Sequence, residues 1–521
     1  MIRIRITTRL VPLARNMRSV HASALLLSLS SLTALACSGS SSSGGASSAG
    51  NSSVAGGGAS AGGASSSQAG TAGLSAGAGG KLGSGGGPVT AGTSSVGGSP
   101  ATGGSVGAGG SPATGGTSGS GGAAAGAGGT PSGGTGGPGG DLPPVYTVEN
   151  TGADCPVPTT FPDFNALTAV PNLPDPFKKQ DGTQITSKAD WRCRRAEISA
   201  QLQHWEIGTK PAPPAASDLT ATFSGNKLSV TVKVGSKSIT LNSTITTPSG
   251  AGPFPVLIQM DGSGVPASIF TGAAIMSFTS SALASQFPSR DPSGGQFWSL
   301  FQEPDAGAYA GWSWGVSRLI DGLVLTAAQN KIDTKHIAVT GCSYAGKMAL
   351  WAGAFDERIA LTIPEESGGG GEASWRMMAT QTGTEDLEAA QGTGWYSTNL
   401  LKFKNADAPK LPFDQHSLVA MVAPRAILTI ANTSIDRLGS QAGYVSMKAA
   451  AEVYTALGVP DRIGWSQVAS GAHCAGFGSQ APDVKAYVDK FLFGKTSSPV
   501  TKSPYTTDMK KWITWPTPTL K

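Results

Sequence analysis

The run Val339-Thr340-Gly341-Cys342-Ser343-Tyr344-Ala345-Gly346-Lys347 decides how this chain is read. Upstream, Lys335 to Thr340 is short and β-branched. Downstream, Lys347 to Ala354 is small, apolar and helix-permissive, so a strand, a tight turn and a helix follow one another. Small residues at 341, 345 and 346 allow the turn, and Ser343 stands at its tip, the geometry in which enzymes expose a nucleophilic serine. The usual pattern is G-x-S-x-G. Here Ala345 occupies the slot of the second glycine, which comes one place later, and an ordinary buried strand-to-helix turn has the same outline. Chemistry therefore needs partners elsewhere in the chain.

Histidine is scarce enough to argue by elimination: only His21, His204, His336, His416 and His473 are present. In the order nucleophile, acid, base, the histidine follows the serine, which leaves two. His473 sits in a small-residue loop after the strand-like run Arg462 to Val468, as expected of a base presented above a sheet edge. His416 opens a helix and reads as a local hydrogen-bonding residue. The acid must lie between. Glu366 follows the strand-like Ile359 to Pro364 and precedes the glycine run 368 to 371, at the carboxyl end of a strand, where open α/β sheets hold their sites. Asp436, after the strand Arg425 to Ile430, is the alternative. Cysteines stand at 37, 155, 193, 342 and 474. With Cys37 assigned to the leader described next, four remain and allow three pairings.

The amino terminus carries Arg3, Arg5, Arg9, Arg15 and Arg18 ahead of an apolar stretch from about Ala22 to Ala36, with no acidic residue before Cys37. This is a secretory leader, 1–37, too short to span a bilayer stably. Ala34-Leu35-Ala36-Cys37 is similar to a bacterial lipoprotein box, so the expectation is an exported protein, anchored to a cell-surface or outer membrane through lipid on Cys37 or otherwise secreted. Residues 38–140 are almost entirely glycine, serine, alanine and threonine and cannot bury a core. About 100 residues of such coil reach roughly 50–60 Å on average. Residues 141–495 then read as one domain and 496–521 as an extended tail.

The chain has 37 basic and 32 acidic residues, and setting aside the five leader arginines leaves 32 against 32. A neutral surface has no field for phosphate backbones or anionic lipid, which argues against nucleic acid as a partner and leaves the membrane only through the anchor. In the domain, strands are expected near 219–223, 227–234, 237–246, 255–260 and 273–278. Helices are expected near 190–205, 308–329, 346–354, 415–422, 440–457 and 481–493. Strands interleaved with helices of this length predict an α/β fold: an α/β-hydrolase sandwich of three layers, with a mostly parallel sheet and helices on both faces.

Together these residues resemble a known family. From Trp312-Ser313-Trp314-Gly315-Val316-Ser317-Arg318, through Gly341-Cys342-Ser343, Gly346-Lys347 and Ile363-Pro364-Glu365-Glu366-Ser367-Gly368, to His473-Cys474, the chain resembles the glucuronoyl esterases over about residues 150–495. The resemblance implies a triad of Ser343, Glu366 and His473, and disulfides Cys155–Cys193 and Cys342–Cys474. It also implies a serine esterase acting on 4-O-methyl-glucuronic acid esters of glucuronoxylan, with no metal or cofactor, and a monomer is expected. Lys347, four residues after the serine and on the same helix face, is implied as a sugar contact, with Gln391 and Trp395 as further candidates. Two departures stand out. Tyr344 replaces the family arginine whose side chain helps hold the oxyanion, leaving the backbone N–H of residue 344 as the expected donor. Arg437 stands where many members carry a tryptophan lining the sugar site, and no residue of Glu388 to Trp395 is matched to the family's sugar-binding glutamate. Loss of one oxyanion donor typically costs about 2.7–4 kcal/mol of barrier, so slow turnover is expected. An esterase for another carbohydrate or aryl ester, and a non-catalytic polysaccharide-binding surface protein, are the alternatives.

Overall fold

The computed structural model describes residues 142–521 except Pro288 and Gly476. The leader, Cys37 and the linker lie outside the described residues. Ten strands form one sheet: β1 Leu219–Ser224, β2 Lys227–Val234, β3 Lys237–Thr246, β4 Phe254–Met260, β5 Ala274–Phe278, β6 Ile332–Cys342, β7 Ile359–Glu365, β8 Ala426–Asn432, β9 Ile463–Val468 and β10 Thr501–Lys502. Their order is β1-β2-β3-β5-β4-β6-β7-β8-β9-β10. The pairings β1/β2, β2/β3 and β3/β5 are antiparallel, and from β5 to β10 every neighbour is parallel.

Residue patterning explains the two halves. In β3 buried and exposed residues alternate, as in an antiparallel strand with one wet face. In β7 and β8 every residue is buried, as required where helices cover both faces. Successive side chains point to opposite faces, and the core divides accordingly. Val256, Ile258, Ile337 and Val339 join one apolar cluster with Leu323 and Trp351. Leu257, Ala338, Leu361 and Leu428 join another with Val484, Val488 and Phe491. The first face is covered by the helices Ala308–Leu325, Tyr344–Phe355 and Ser440–Ala456, the second by Ala481–Phe493. This is the three-layer α/β-hydrolase arrangement expected from the elbow.

The start of the domain is held by buried charge. Glu149 pairs with both Lys210 and Arg318, and Arg358 bridges Asp356 at 2.6 Å and Asp321 at 2.5 Å. Removing one member of such a buried set leaves an uncompensated charge, at a cost of about 3–5 kcal/mol. The tail expected at the other end is held to the domain. Val500 O accepts the N–H of Trp465, β10 extends the sheet beside β9, and Lys521 exchanges backbone bonds with Thr186 and Lys188. Trp515 is buried and stacks on His416, centroids 5.8 Å apart. Residues 496–521 are thus extended but docked, because the exposed edge of β9 and an apolar hollow offer them backbone partners and burial.

Candidate active site

The elbow forms at the carboxyl end of β6, near the centre of the sheet. Ser343 has φ +60° and ψ −126°, between β6 and the helix Tyr344–Phe355, and its N–H donates to Glu365 O at 3.0 Å. Gly346 is needed one place later than usual because a Cβ there would lie 2.4 Å from that same carbonyl oxygen, whereas Ala345 finds room. Among the described residues, five non-glycine residues have positive φ: Asp261, Lys331, Ser343, Glu366 and Cys474. All but Lys331 belong to this site, and backbone strain gathers at functional sites where the surroundings over-determine it.

The histidine and the acid meet here. Oε2 of Glu366 lies 2.5 Å from His473 Nδ1 and also accepts the N–H of Cys474 at 3.0 Å. A carboxylate oxygen fixed by one N–H accepts from the other, which places the ring hydrogen on Nδ1 and leaves Nε2 as the acceptor. Nε2 is buried and has no hydrogen-bond partner. The disulfide Cys342–Cys474, Cα atoms 5.9 Å apart, joins the residue before Ser343 to the residue after His473, and Cys155–Cys193 closes the other pair. The two sulfurs, the Glu366 carboxylate and the His473 ring present atoms within 4.8 Å of one another. The sulfurs are bonded to each other and offer no thiolate to a metal, so the group is a cross-link beside an acid–base pair. Glu365, next in the chain, is buried, and burial together with the charge of Glu366 pushes its carboxyl up to about 8.

Asp436 is exposed on the turn Asp436–Leu438, and the carboxylate bonded to the His473 ring is that of Glu366. His416 is buried, hydrogen-bonds Pro174 O through Nε2 at 2.8 Å, and is pushed down to about 4, mainly by burial. Both ends of the Gln391 amide are occupied: it donates to Phe403 O at 2.8 Å and accepts from Lys404 Nζ at 2.7 Å.

Lys347 is buried rather than solvated. Its ammonium meets Glu385 Oε2 at 2.9 Å and lies 5.4 Å over the Trp395 ring. The other oxygen of Glu385 receives Arg437 Nη1 at 3.0 Å, so one carboxylate links the buried lysine to the half-exposed arginine. Glu385 was missed by the sequence reading, having no recognisable spacing from Ser343. It arrives because Gly369, two places past Ser367, lets the chain approach: a Cβ there would lie 1.8 Å from Glu385 O. Trp395 stacks on Tyr344, 14° between planes and centroids 6.3 Å apart. Tyr344 Oη donates to Asp261 Oδ2 at 2.7 Å. Asp261 was also passed over, although it directly follows β4 at the carboxyl edge where such sites form. Next to it, Ser263 Oγ accepts the N–H of Cys342 at 3.2 Å, which seats the β4 loop against the elbow. In α/β hydrolases a loop in this position supplies the second oxyanion donor, beside the N–H of the residue after the nucleophile. Here that residue is Tyr344, the first of its helix, whose N–H has no intrahelical acceptor.

A family profile described as "Glucuronyl esterase, fungi" matches residues 230–458. The chain is 40% identical over 378 residues to the 4-O-methyl-glucuronoyl methylesterase of Hypocrea jecorina, covering 71% of this chain and 81% of that protein. Among solved structures it resembles the glucuronoyl esterase catalytic domain from Hypocrea jecorina, with TM-score 0.65, 39% identity, and 70% of this chain and 100% of that chain covered. It also resembles a serine-to-alanine mutant of the Sporotrichum thermophile enzyme in complex with methyl 4-O-methyl-β-D-glucopyranuronate, with TM-score 0.66, 38% identity and the same coverage.

Proposed function

From the premise that the chain belongs to the glucuronoyl esterase family, we propose that it is a serine esterase hydrolysing 4-O-methyl-glucuronic acid esters of glucuronoxylan, with Ser343 as nucleophile, His473 as base and Glu366 as acid. The observation that carries this is the Glu366–His473–Cys474 arrangement, in which the carboxylate holds Nδ1 and the disulfide ties the unpartnered Nε2 to the serine elbow.

Attack of Ser343 Oγ on the uronate carbonyl passes its proton to His473 Nε2, and Glu366 stabilises the imidazolium that forms. The tetrahedral oxyanion is held by backbone N–H groups of the elbow, Tyr344 among them. Its collapse expels the alcohol, which takes the proton from His473. Water, deprotonated by the same ring, then cleaves the acyl-enzyme and regenerates Ser343. Lys347, fixed by Glu385 and Trp395 one helical turn from the serine, is the donor for sugar hydroxyls.

Export, with lipid attachment at Cys37, belongs to the same reading, since a plant cell-wall polymer cannot enter a cell. Cys37→Ser should release the protein from membranes. The central test is hydrolysis of methyl and benzyl glucuronate by purified protein and by Ser343→Ala. Loss of turnover with unchanged circular dichroism supports the assignment; equal rates place the nucleophile elsewhere. Activity on acetyl xylan or aryl esters but not on glucuronate esters would select the other esterase reading.

A further inference from the structure

The turn that carries Asp436 does not serve His473. It walls a separate cavity of about 310 Å³, whose lining includes Gln381, Thr384, Asp436, Ser440, Gln441 and Tyr505. That volume is at the lower end of small-molecule sites. The wall offers hydroxyls, side-chain amides and one carboxylate, with a single aromatic ring and no lysine or arginine. Such a surface is matched to a neutral polyol: amides and hydroxyls both give and accept hydrogen bonds, the carboxylate accepts from ligand hydroxyls, and the tyrosine ring offers an apolar face. Asp436 disfavours an anion, so the uronate itself does not belong here.

The cavity is built and not a gap between loose loops. Tyr505 comes from the docked carboxyl-terminal segment and packs against Tyr444, centroids 6.5 Å apart. Gln441 Nε2 donates to Thr507 Oγ1 at 3.2 Å, fixing that segment to the helix Ser440–Ala456. One lining atom lacks a partner: Oε1 of Gln381 is buried and accepts no hydrogen bond.

The cavity also adjoins the reaction site through the backbone. Asp436 precedes Arg437, whose carbonyl accepts the N–H of Glu385 at 2.8 Å and whose guanidinium holds the Glu385 carboxylate. The same carboxylate holds Lys347, on the first turn after Ser343. A continuous chain of contacts thus runs from the elbow to the cavity wall.

We propose that this cavity is a subsite for the neutral pyranose chain from which the esterified uronate branches, with the Tyr505 ring under a sugar face and Asp436, Gln381 and Gln441 on its hydroxyls. The proposal rests on the esterase reading for what lies next door, yet it can be tested without turnover. Xylotetraose, which carries no uronate, is titrated calorimetrically into the full protein, Tyr505→Ala and Asp436→Asn. Binding by the parent that weakens at least about fivefold in both variants, a change of roughly 1 kcal/mol, supports the subsite. Asp436 is exposed, so its conservative variant guards against a folding artefact at Tyr505. In parallel, kcat/KM is compared for methyl glucuronate and for the methyl ester of a xylotriose-linked uronate. The parent should favour the longer ester through KM, and Tyr505→Ala should lose that preference while keeping its rate on the short one. No binding by the parent, or equal binding by all three proteins, overturns the subsite. Tyr505-dependent binding by a parent that hydrolyses neither ester leaves the subsite standing and removes the esterase reading.

Discussion

The hydroxyl of Tyr344 donates to Oδ2 of Asp261 at 2.7 Å, and Asp261 in turn accepts from the backbone N–H of Ser280 at 2.7 Å and from its hydroxyl at 2.5 Å. The residue that replaces the family arginine therefore turns its only side-chain donor toward a carboxylate and not toward a substrate carbonyl. Burial, and then the bond to Asp261, push the phenol up to about 12, so it stays neutral through the working range.

Removing that hydroxyl should change the chemistry little. Tyr344→Phe is expected to keep kcat on methyl glucuronate within about threefold of the parent, well below the 10²–10³-fold effect of losing an oxyanion donor. Tyr344→Arg, which restores a charged donor beside Asp261, is expected to raise kcat. A collapse of the phenylalanine variant would mean that the hydroxyl takes part in the reaction.

Glu366 holds the tautomer of His473 through a single oxygen shared with Cys474 N–H. Glu366→Gln preserves shape but allows the amide to present N–H to Nδ1 and reverse the ring. The expected loss is about 10⁴-fold in kcat, with KM nearly constant and an unchanged folded spectrum. Asp436→Asn is the control and should leave hydrolysis of the small ester intact. A large loss in the control together with an active Glu366→Gln would exchange the two acids.

The disulfide Cys342–Cys474 spans 132 residues of chain and lies beside both proposed reacting groups. Replacing both cysteines with serine should lower stability by about 2–5 kcal/mol, read as a drop in the denaturation midpoint. It should also lower kcat more than the same replacement at Cys155 and Cys193, which joins segments far from the elbow in the chain. Equal kinetic effects from the two pairs would show that the bridge supports the fold without positioning the histidine.

Glu206 is fully buried, accepting from Trp375 Nε1 at 3.0 Å and Gln415 Nε2 at 2.6 Å, and burial raises its carboxyl from an ordinary 4.5 to about 8. Below about pH 4.5 the folded and unfolded chains both carry the proton. Between about 4.5 and 8 only the folded chain keeps it, so protons favour folding and stability falls as pH rises through this window. Each unit of separation is worth about 1.4 kcal/mol. Glu206→Gln removes this charge, and its melting temperature relative to the parent should improve steadily from pH 5 to pH 8. A constant difference across that range would show that Glu206 does not titrate there.

Much of this molecule was legible in one dimension, and the reason is locality. Strand and helix periods are written within a few residues, so β1 to β9 and the helix Ala481–Phe493 lie close to where patterning placed them. The turn around Ser343 is likewise a matter of small residues at neighbouring positions, and with five histidines chain order left only His416 and His473, between which the small-residue loop at 473 pointed to the base. The choice between Glu366 and Asp436 was not local: it depends on which strand end faces residue 473, and the left-handed turn at Glu366 and the Cys342–Cys474 bridge decide that in three dimensions. Glu385, Asp261 and Tyr505 were silent in the chain because nothing in their spacing marks them. They matter only where folding brings segments tens or hundreds of residues apart within hydrogen-bonding reach, and there a carboxylate or a ring takes its role from its neighbours.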